Sequence, residues 1–540
     1  MVPCLSDVSL LRSIPLTSLR TILVVLVLAV LTTVVAAVLL PRTVPAATGA
    51  SSADRPTRFT HPALRTVLRA VGRYTARIVM VGVPVLLVIV LGGLLINRPM
   101  HYVRTVGDLA KAAAPRAQVS SRIESPPKSF AYGSAPALAW KASFHDVGDG
   151  SQEATWTGPV SGIKLPVRVV LPAGYRPDDG RTYNVLVGLH GWVGDPQSLV
   201  TGIASPQRLQ EAIDAGRIPP SILVFPSLNV DGGQPDCVNI AGRPAVGTWT
   251  AEEIPRMIQA TFPNVTTQRA GWMIMGISAG AYCAARTAYD VPQRFGAVGV
   301  MSSYDLPGEG SLAHSGKTLQ AQNGLSTMLG KRKPDGMRFY VLGAQDDSSG
   351  AARAAWLMDD AVRKPDSLTV DTPASGGHSW TLWNNYFPSL LTWWGSDPAV
   401  FKAAGVTAPQ GDTWAKATAA GVKPLSETPK DQRVVGSVSP VRAMPFEING
   451  LGTIIVAVVA SLGALGAVMF WSPRWGRRRD GGRRSVSRLG GAILGRVVVI
   501  LVAAGLVAVT VGIGANASGG FYTSWRDLRA SVRVNERAGK

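Results

Sequence analysis

A chain of 540 residues with a formal charge of +20 and a pI near 10.3 has the balance of a nucleic-acid binder, but the charge distribution excludes that class. Residues 131–447 hold 26 Lys and Arg against 27 Asp and Glu, so a nearly neutral central region lies between basic flanks. Three cysteines are too few for a disulfide-stapled scaffold.

In chain order, Thr21 to Leu40 is the first apolar run and Ile78 to Ile96 the second. Each is about long enough to cross a hydrocarbon core of roughly 30 Å as a helix rising 1.5 Å per residue. A cleaved signal peptide is the alternative for the first run, since Val44-Pro45-Ala46-Ala47 resembles a processing site. The run is longer than the roughly 7 to 15 apolar residues of a signal peptide, which favours retention. Between the two runs lie Arg42, Arg55, Arg58, Arg65, Arg69, Arg73 and Arg77 against a single acid, Asp54. By the positive-inside rule this loop is cytoplasmic. Residues 1–97 therefore form a two-span unit, and residues 98–150, rich in Ala, Pro, Ser and Gly, read as a linker or stalk.

From 151 to 395 the pattern changes to strand-like runs alternating with helical ones. The strands are expected near Leu165 to Leu171, Tyr183 to Leu189, Ile222 to Phe225, Gly271 to Met275, Ala297 to Met301, Arg338 to Gly343 and Ser367 to Val370. Helices are expected near Pro206 to Ala215, Ala251 to Ala260, Ala279 to Tyr289 and Ala351 to Val362. Such alternation predicts an α/β domain with a mainly parallel central sheet covered on both faces.

Candidate chemistry follows the same order. The strand ending at Leu189 delivers His190-Gly191-Trp192, whose Trp192 amide, or alternatively that of Gly191, is a candidate oxyanion donor; His190 is expected to shape the loop by packing or hydrogen bonding. Gly276-Ile277-Ser278-Ala279-Gly280 fits the G-x-S-x-G nucleophile elbow, in which a sharp strand-to-helix turn exposes the Ser278 hydroxyl and the Ala279 amide provides the second oxyanion donor. In that architecture the acid and then the histidine follow the serine along the chain. Of the six histidines only His378 follows both Ser278 and an acid-bearing strand end, Met337 to Gly343 running into Asp346-Asp347. The Gly-x-x-Asp spacing favours Asp346 as the acid, with Asp347 as the alternative. Cys237, in a loop after one strand, and Cys283, on the elbow helix, converge at the same sheet edge and predict a disulfide.

Residues 396–447 again read as a linker. Ile448 to Trp471 and Val497 to Ala515 complete four apolar runs, with small residues such as Gly463 and Ala467 spaced for close helix approach. Arg474, Arg477, Arg478, Arg479, Arg483, Arg484 and Arg488 stand between them against Asp480, so this loop is also assigned to the cytoplasm and the central region outside. Arg526, Arg529, Arg533, Arg537 and Lys540, which would then lie outside, run against the rule. No run carries an internal acid or histidine, which argues against a proton relay.

Leu189-His190-Gly191-Trp192, Trp249-Thr250-Ala251-Glu252-Glu253-Ile254-Pro255, Gly276 to Gly280 and His378-Ser379-Trp380-Thr381-Leu382-Trp383 occur in an order with a family likeness. The stretch from about Gly158 to Trp394 resembles the serine esterase family that includes esterase D, feruloyl esterases and the mycolyltransferases of actinobacterial envelopes. The resemblance implies an α/β-hydrolase domain acting through a Ser-His-acid triad and an acyl-enzyme, with no metal or other cofactor. His-Ser-Trp-x-x-Trp is especially similar to the mycolyltransferases, whereas the aspartate acid departs from their usual glutamate and the segment after Trp192 is not a close match. The expected protein is thus a multi-pass plasma-membrane esterase or acyltransferase whose outward domain acts on acyl-ester or glycolipid substrates, with the bilayer and not nucleic acid as its partner. The competing expectation is a catalytically silent hydrolase fold serving envelope binding or assembly.

Overall fold

A computed structural model of the chain describes residues 11–44, 62–100, 103–107, 109, 123–124, 140–192, 194–230, 237–308, 310–433, 445–448, 450–475 and 486–519, with 522, 524–525 and 528–529 beyond them. It divides into two compact units, Met1–Ile14 with Pro99–Arg442 and Gly520–Lys540, and Pro15–Arg98 with Ala443–Gly519.

The second unit contains four helices long and apolar enough to cross a membrane: Leu19–Thr43, Val67–Arg98, Leu451–Arg474 and Leu489–Ala517. Ala36, Ala37, Leu40, Val81, Val468, Ile500 and Ala503 meet in one cluster drawn from all four. Alanines at this seam let the backbones approach closely. Gly463 is not part of it, because a Cβ there would meet nothing within 4 Å. Arg77 donates to the Thr43 hydroxyl at 2.8 Å and to the Met469 carbonyl at 3.0 Å, satisfying groups at the ends of two other helices. Residues 45–47 of the candidate processing site, Arg55, Arg58, the arginines from 477 to 484 with Asp480, and Arg526, Arg533, Arg537 and Lys540 lie outside the described residues.

The first unit is built on a nine-stranded sheet. In chain order its strands are β1 (His145–Asp146), β2 (Gln152–Thr157), β3 (Lys164–Val170), β4 (Asn184–Leu189), β5 (Ser221–Pro226), β6 (Trp272–Ile277), β7 (Ala297–Met301), β8 (Arg338–Leu342) and β9 (Ser367–Asp371). Their order across the sheet is β9-β8-β7-β6-β4-β5-β3-β2-β1. The six strands from β4 to β9 are mutually parallel, and β3, β2 and β1 add antiparallel at one side, so the sheet is mixed. Successive residues of β6 alternate between two cores, Trp272 and Ile274 on one face, Met273 and Met275 on the other. Every residue of β4, β5 and β6 is buried, as parallel strands covered on both faces must be.

Helices α1 (Pro196–Gly202), α2 (Ser205–Asp214) and α6 (Trp380–Gly395) cover one face, where Leu199, Leu209, Phe387 and Trp394 are buried together. The opposite face is covered by α3 (Ile254–Thr261), α4 (Ala279–Asp290) and α5 (Ala351–Ala361), through residues such as Met257, Ala284 and Met358. Because the central strands are parallel, the loops after β4, β6, β8 and β9 all leave from one edge.

Two stretches expected as linkers differ. Trp140 and Phe144 pack on the core, and β1 extends the sheet. Beyond α6, Pro398–Ala403 and Thr413–Ala419 are helical, Val400 and Trp414 join the core, and Ser426 donates its amide to Asp371 at 2.9 Å. Helices of six and seven residues are too short to reveal a 3.6-residue period, which is why composition alone reads as linker.

Candidate active site at the edge of the sheet

The turn from β6 into α4 is tightly packed. Ser278 sits between them with φ 54° and ψ −124°, a left-handed backbone that is strained for a residue bearing a Cβ. A Cβ on Gly276 would lie 2.0 Å from the Gly280 carbonyl oxygen, and one on Gly280 would lie 2.1 Å from that of Leu189. Strand, turn and helix therefore pass closer than any side chain at 276 or 280 permits. The strain is held by main-chain bonds, with the Ser278 amide donating to Met301 at 2.9 Å and its carbonyl accepting from Ala281 at 2.9 Å.

His378 reaches this turn from the loop after β9. Gly376 and Gly377 take φ 147° and 58°, and Ser379 closes the loop by accepting the Leu382 amide at 3.2 Å as N-cap of α6. The imidazole Nε2 lies 2.8 Å from Ser278 Oγ, and Nδ1 lies 2.9 Å from Asp347 Oδ2. A carboxylate only accepts, so Nδ1 carries the proton and Nε2 faces the serine hydroxyl as an acceptor. Ser349 Oγ stands 3.3 Å from the same Nδ1, and the Trp383 ring meets the imidazole edge-on with centroids 5.1 Å apart.

The acid facing His378 is thus Asp347, which corrects the expectation of Asp346. The chain turns once more after β8, with the Asp347 amide donating to Ala344 at 3.1 Å, and this extra step points the second aspartate at the imidazole. Asp346 instead accepts from the Gly376 and Gly377 amides at 3.2 and 2.8 Å. The two carboxyls are tuned in opposite directions. Burial pushes Asp347 up, but the His378 ring and the Ser349 bonds outweigh it and hold the group below the ordinary range. At Asp346 burial outweighs the two glycine amides and the carboxyl lies above it.

The loop after β4 borders the serine from the other side, since a Cβ on Gly191 would lie 3.1 Å from the Ser278 Cβ. Trp192 follows in the same loop, half-buried. Ala279 is the first residue of α4, where a helix has no internal acceptor for its amide. His190 is buried and bonded at both nitrogens, accepting the Leu228 amide at Nε2 (2.9 Å) and facing the Gly191 carbonyl with Nδ1 (2.9 Å). Burial pushes its pKa down to about 4, so it is neutral at pH 7 and holds the loop.

Cys237 and Cys283 form a disulfide with Cα atoms 5.3 Å apart, joining α4 to the loop that precedes Asn239. The bridge closes a segment of 46 residues and both cysteines are buried. Removing it by Cys237→Ser with Cys283→Ser is expected to cost about 2–4 kcal/mol, measured as a lower denaturation midpoint.

Two features had no clear signal in the pattern of the sequence. Ser349 is a short polar residue in an ordinary turn. Arg104 lies far from the loop motifs in sequence, yet its Nε stands 2.6 Å from Asp195 Oδ2. Asp195-Pro196 ahead of a helix was the one available hint, as an N-cap pattern.

Residues 159–393 match the esterase family model described as "Putative esterase". No curated protein matches the chain. Among solved structures, similarity is found to a ferulic acid esterase (18% identity, 46% of this chain and 98% of that one, TM-score 0.38). It is also found to an S-formylglutathione hydrolase from Agrobacterium tumefaciens (14%, 47% and 98%, TM-score 0.37) and to MPT51 of Mycobacterium tuberculosis (17%, 49% and 99%, TM-score 0.34). At such identities the likeness says nothing of substrate. Residues 159–393 form an esterase-family domain, carried on a chain with four helices long and apolar enough to cross a membrane.

Proposed function

We propose that the chain is a membrane-anchored serine esterase or acyltransferase that uses Ser278 as nucleophile, His378 as general base and Asp347 as the acid orienting it. The observation that carries this reading is the continuous hydrogen-bonded order from Ser278 Oγ through His378 to Asp347, at 2.8 and 2.9 Å, on a strained elbow. His378 Nε2 takes the hydroxyl proton as Ser278 attacks an ester carbonyl, and Asp347 stabilises the imidazolium that results. The amides of Ala279 and Trp192, with Gly191 as the alternative donor, receive the oxyanion. His378 then protonates the leaving alkoxide, and the acyl group remains on Ser278 Oγ. In the second half His378 deprotonates either water, releasing an acid, or an acceptor hydroxyl such as a sugar's, forming a new ester.

Sidedness belongs to the same proposal. Arginine-rich connections between the first and second and between the third and fourth apolar helices favour the cytoplasm, which assigns the esterase domain to the outer face of the plasma membrane. A domain anchored there meets lipidic and cell-envelope esters, including glycolipids.

The test uses full-length protein in detergent with acyl esters of increasing chain length, with and without a disaccharide acceptor. Ester turnover dependent on Ser278 is expected, and an acylated disaccharide would assign transfer over hydrolysis. Ester turnover that persists in Ser278→Ala would overturn the reading. Protease added outside intact spheroplasts is expected to digest the esterase domain; protection would overturn its outward assignment.

A further inference from the structure

We propose that Arg104, six residues beyond the end of the second apolar helix at Arg98, is a positioning residue that holds the loop after β4 against Ser278 by pairing with Asp195. The inference rests on the proposed reading of Ser278 as nucleophile and adds a dependence of that site on chain outside residues 159–393.

The loop from His190 to Asp195 is short, and its near end is secured. Gly191 lies against Ser278, and His190 is clamped between Leu228 and Gly191. At the far end the Gly194 carbonyl accepts from Asn229 Nδ2 at 2.7 Å, and the Asp195 carbonyl accepts from the Ser198 amide and hydroxyl at 3.0 and 2.6 Å. These bonds use the backbone of Asp195. Its side chain, 1% exposed, faces Arg104, whose Nε lies 2.6 Å from Oδ2. Burial pushes the Asp195 carboxyl up to about 6, with Arg104 pulling against it.

Arg104 is itself held from the sheet. Its second nitrogen reaches Glu153 Oε2 on β2 at 3.5 Å, the same oxygen that accepts Arg168 Nε from β3 at 2.9 Å. Arg168 continues to Asp149 at 2.6 Å, so a chain of alternating charges ties the loop to the antiparallel strands. A pair in which one member is a third exposed adds little to overall stability. Its removal has a local consequence, because a buried carboxylate that loses its ion-pair partner, with the Gln197 amide and the charge of Arg168 still acting on it, is driven to rehydrate or take a proton. Either change moves the segment that presents Gly191 and Trp192, and small misplacements of catalytic donors cost rate out of proportion to their size.

The experiment measures p-nitrophenyl butyrate turnover by the full-length protein in detergent, with kcat expressed per site titrated by a fluorophosphonate probe. Arg104→Ala is expected to lower kcat on the order of tenfold while KM changes by less than about twofold. Asp195→Asn should show the same loss, and the double variant no further loss, because both remove one interaction. Arg104→Lys should recover part of it, since an ammonium can still pair with Asp195. A purely structural role would lower the melting temperature and leave kcat per titrated site unchanged. Wild-type kcat in both Arg104→Ala and Arg104→Lys, or additive losses with Asp195→Asn, would overturn the inference. Failure of the wild-type protein to take the probe would instead overturn the reading of Ser278, and this inference with it.

Discussion

Replacement of Ser278 by alanine is expected to lower kcat toward acyl esters by roughly 10⁵- to 10⁶-fold, measured by p-nitrophenyl ester hydrolysis. No other group replaces the nucleophile. The hydroxyl is the one atom that the elbow lifts toward His378 Nε2, and without it water must attack with only the oxyanion donors and binding to assist. Little loss of stability should accompany this. Alanine carries the same Cβ as serine, so the backbone strain at φ 54° is unchanged, and the lost side-chain bond is to a loop imidazole. His378→Ala should cost a similar factor, and the double variant little more, because the pair acts as a unit.

The adjacent aspartates give the second large effect, and a discriminating one. Asp347→Asn is expected to cut kcat by about 10⁴-fold, because an amide can donate to Nδ1 and leave the Nε2 proton facing the serine, the wrong tautomer for a base. Asp346→Asn should cost about tenfold or less, since its side-chain oxygen can still accept from a glycine amide. The two variants should also separate in acid. Asp347 is held below its ordinary range, so its pairing contributes stability that is present above the unfolded value, roughly 3.9, and is lost as pH falls through the lower folded value. Asp347→Asn should lack that contribution at neutral pH. Equal kinetic losses in the two variants would contradict the assignment of Asp347.

Much of the architecture was legible because parallel strands buried on both faces leave continuous apolar runs. Trp272–Ile277, Ala297–Met301 and Arg338–Leu342 fall within a few residues of where those runs predict strands. Of the antiparallel side only Lys164–Val170 was legible: Gln152–Thr157 mixes polar with apolar residues, and His145–Asp146 is two residues long. The elbow motif singled out Ser278 and chain order singled out His378, and the structure brings them within 2.8 Å. Spacing favoured Asp346 over Asp347, the residue that faces His378, because the choice depends on one extra turn bond, from Asp347 to Ala344, that leaves no mark on residue type. Arg104 was illegible for another reason. Its partner is 91 positions away, and a single arginine in a stretch rich in alanine has no pattern to betray it.

The central claim is that Ser278 is an activated nucleophile, and covalent labelling tests it most directly. Full-length protein is treated with a fluorophosphonate probe, and the modified peptide is located by mass spectrometry. The expected result is one adduct, on Ser278, that is absent from Ser278→Ala and strongly slowed in Asp347→Asn. An unlabelled wild-type protein, or an adduct that survives in Ser278→Ala, would contradict it.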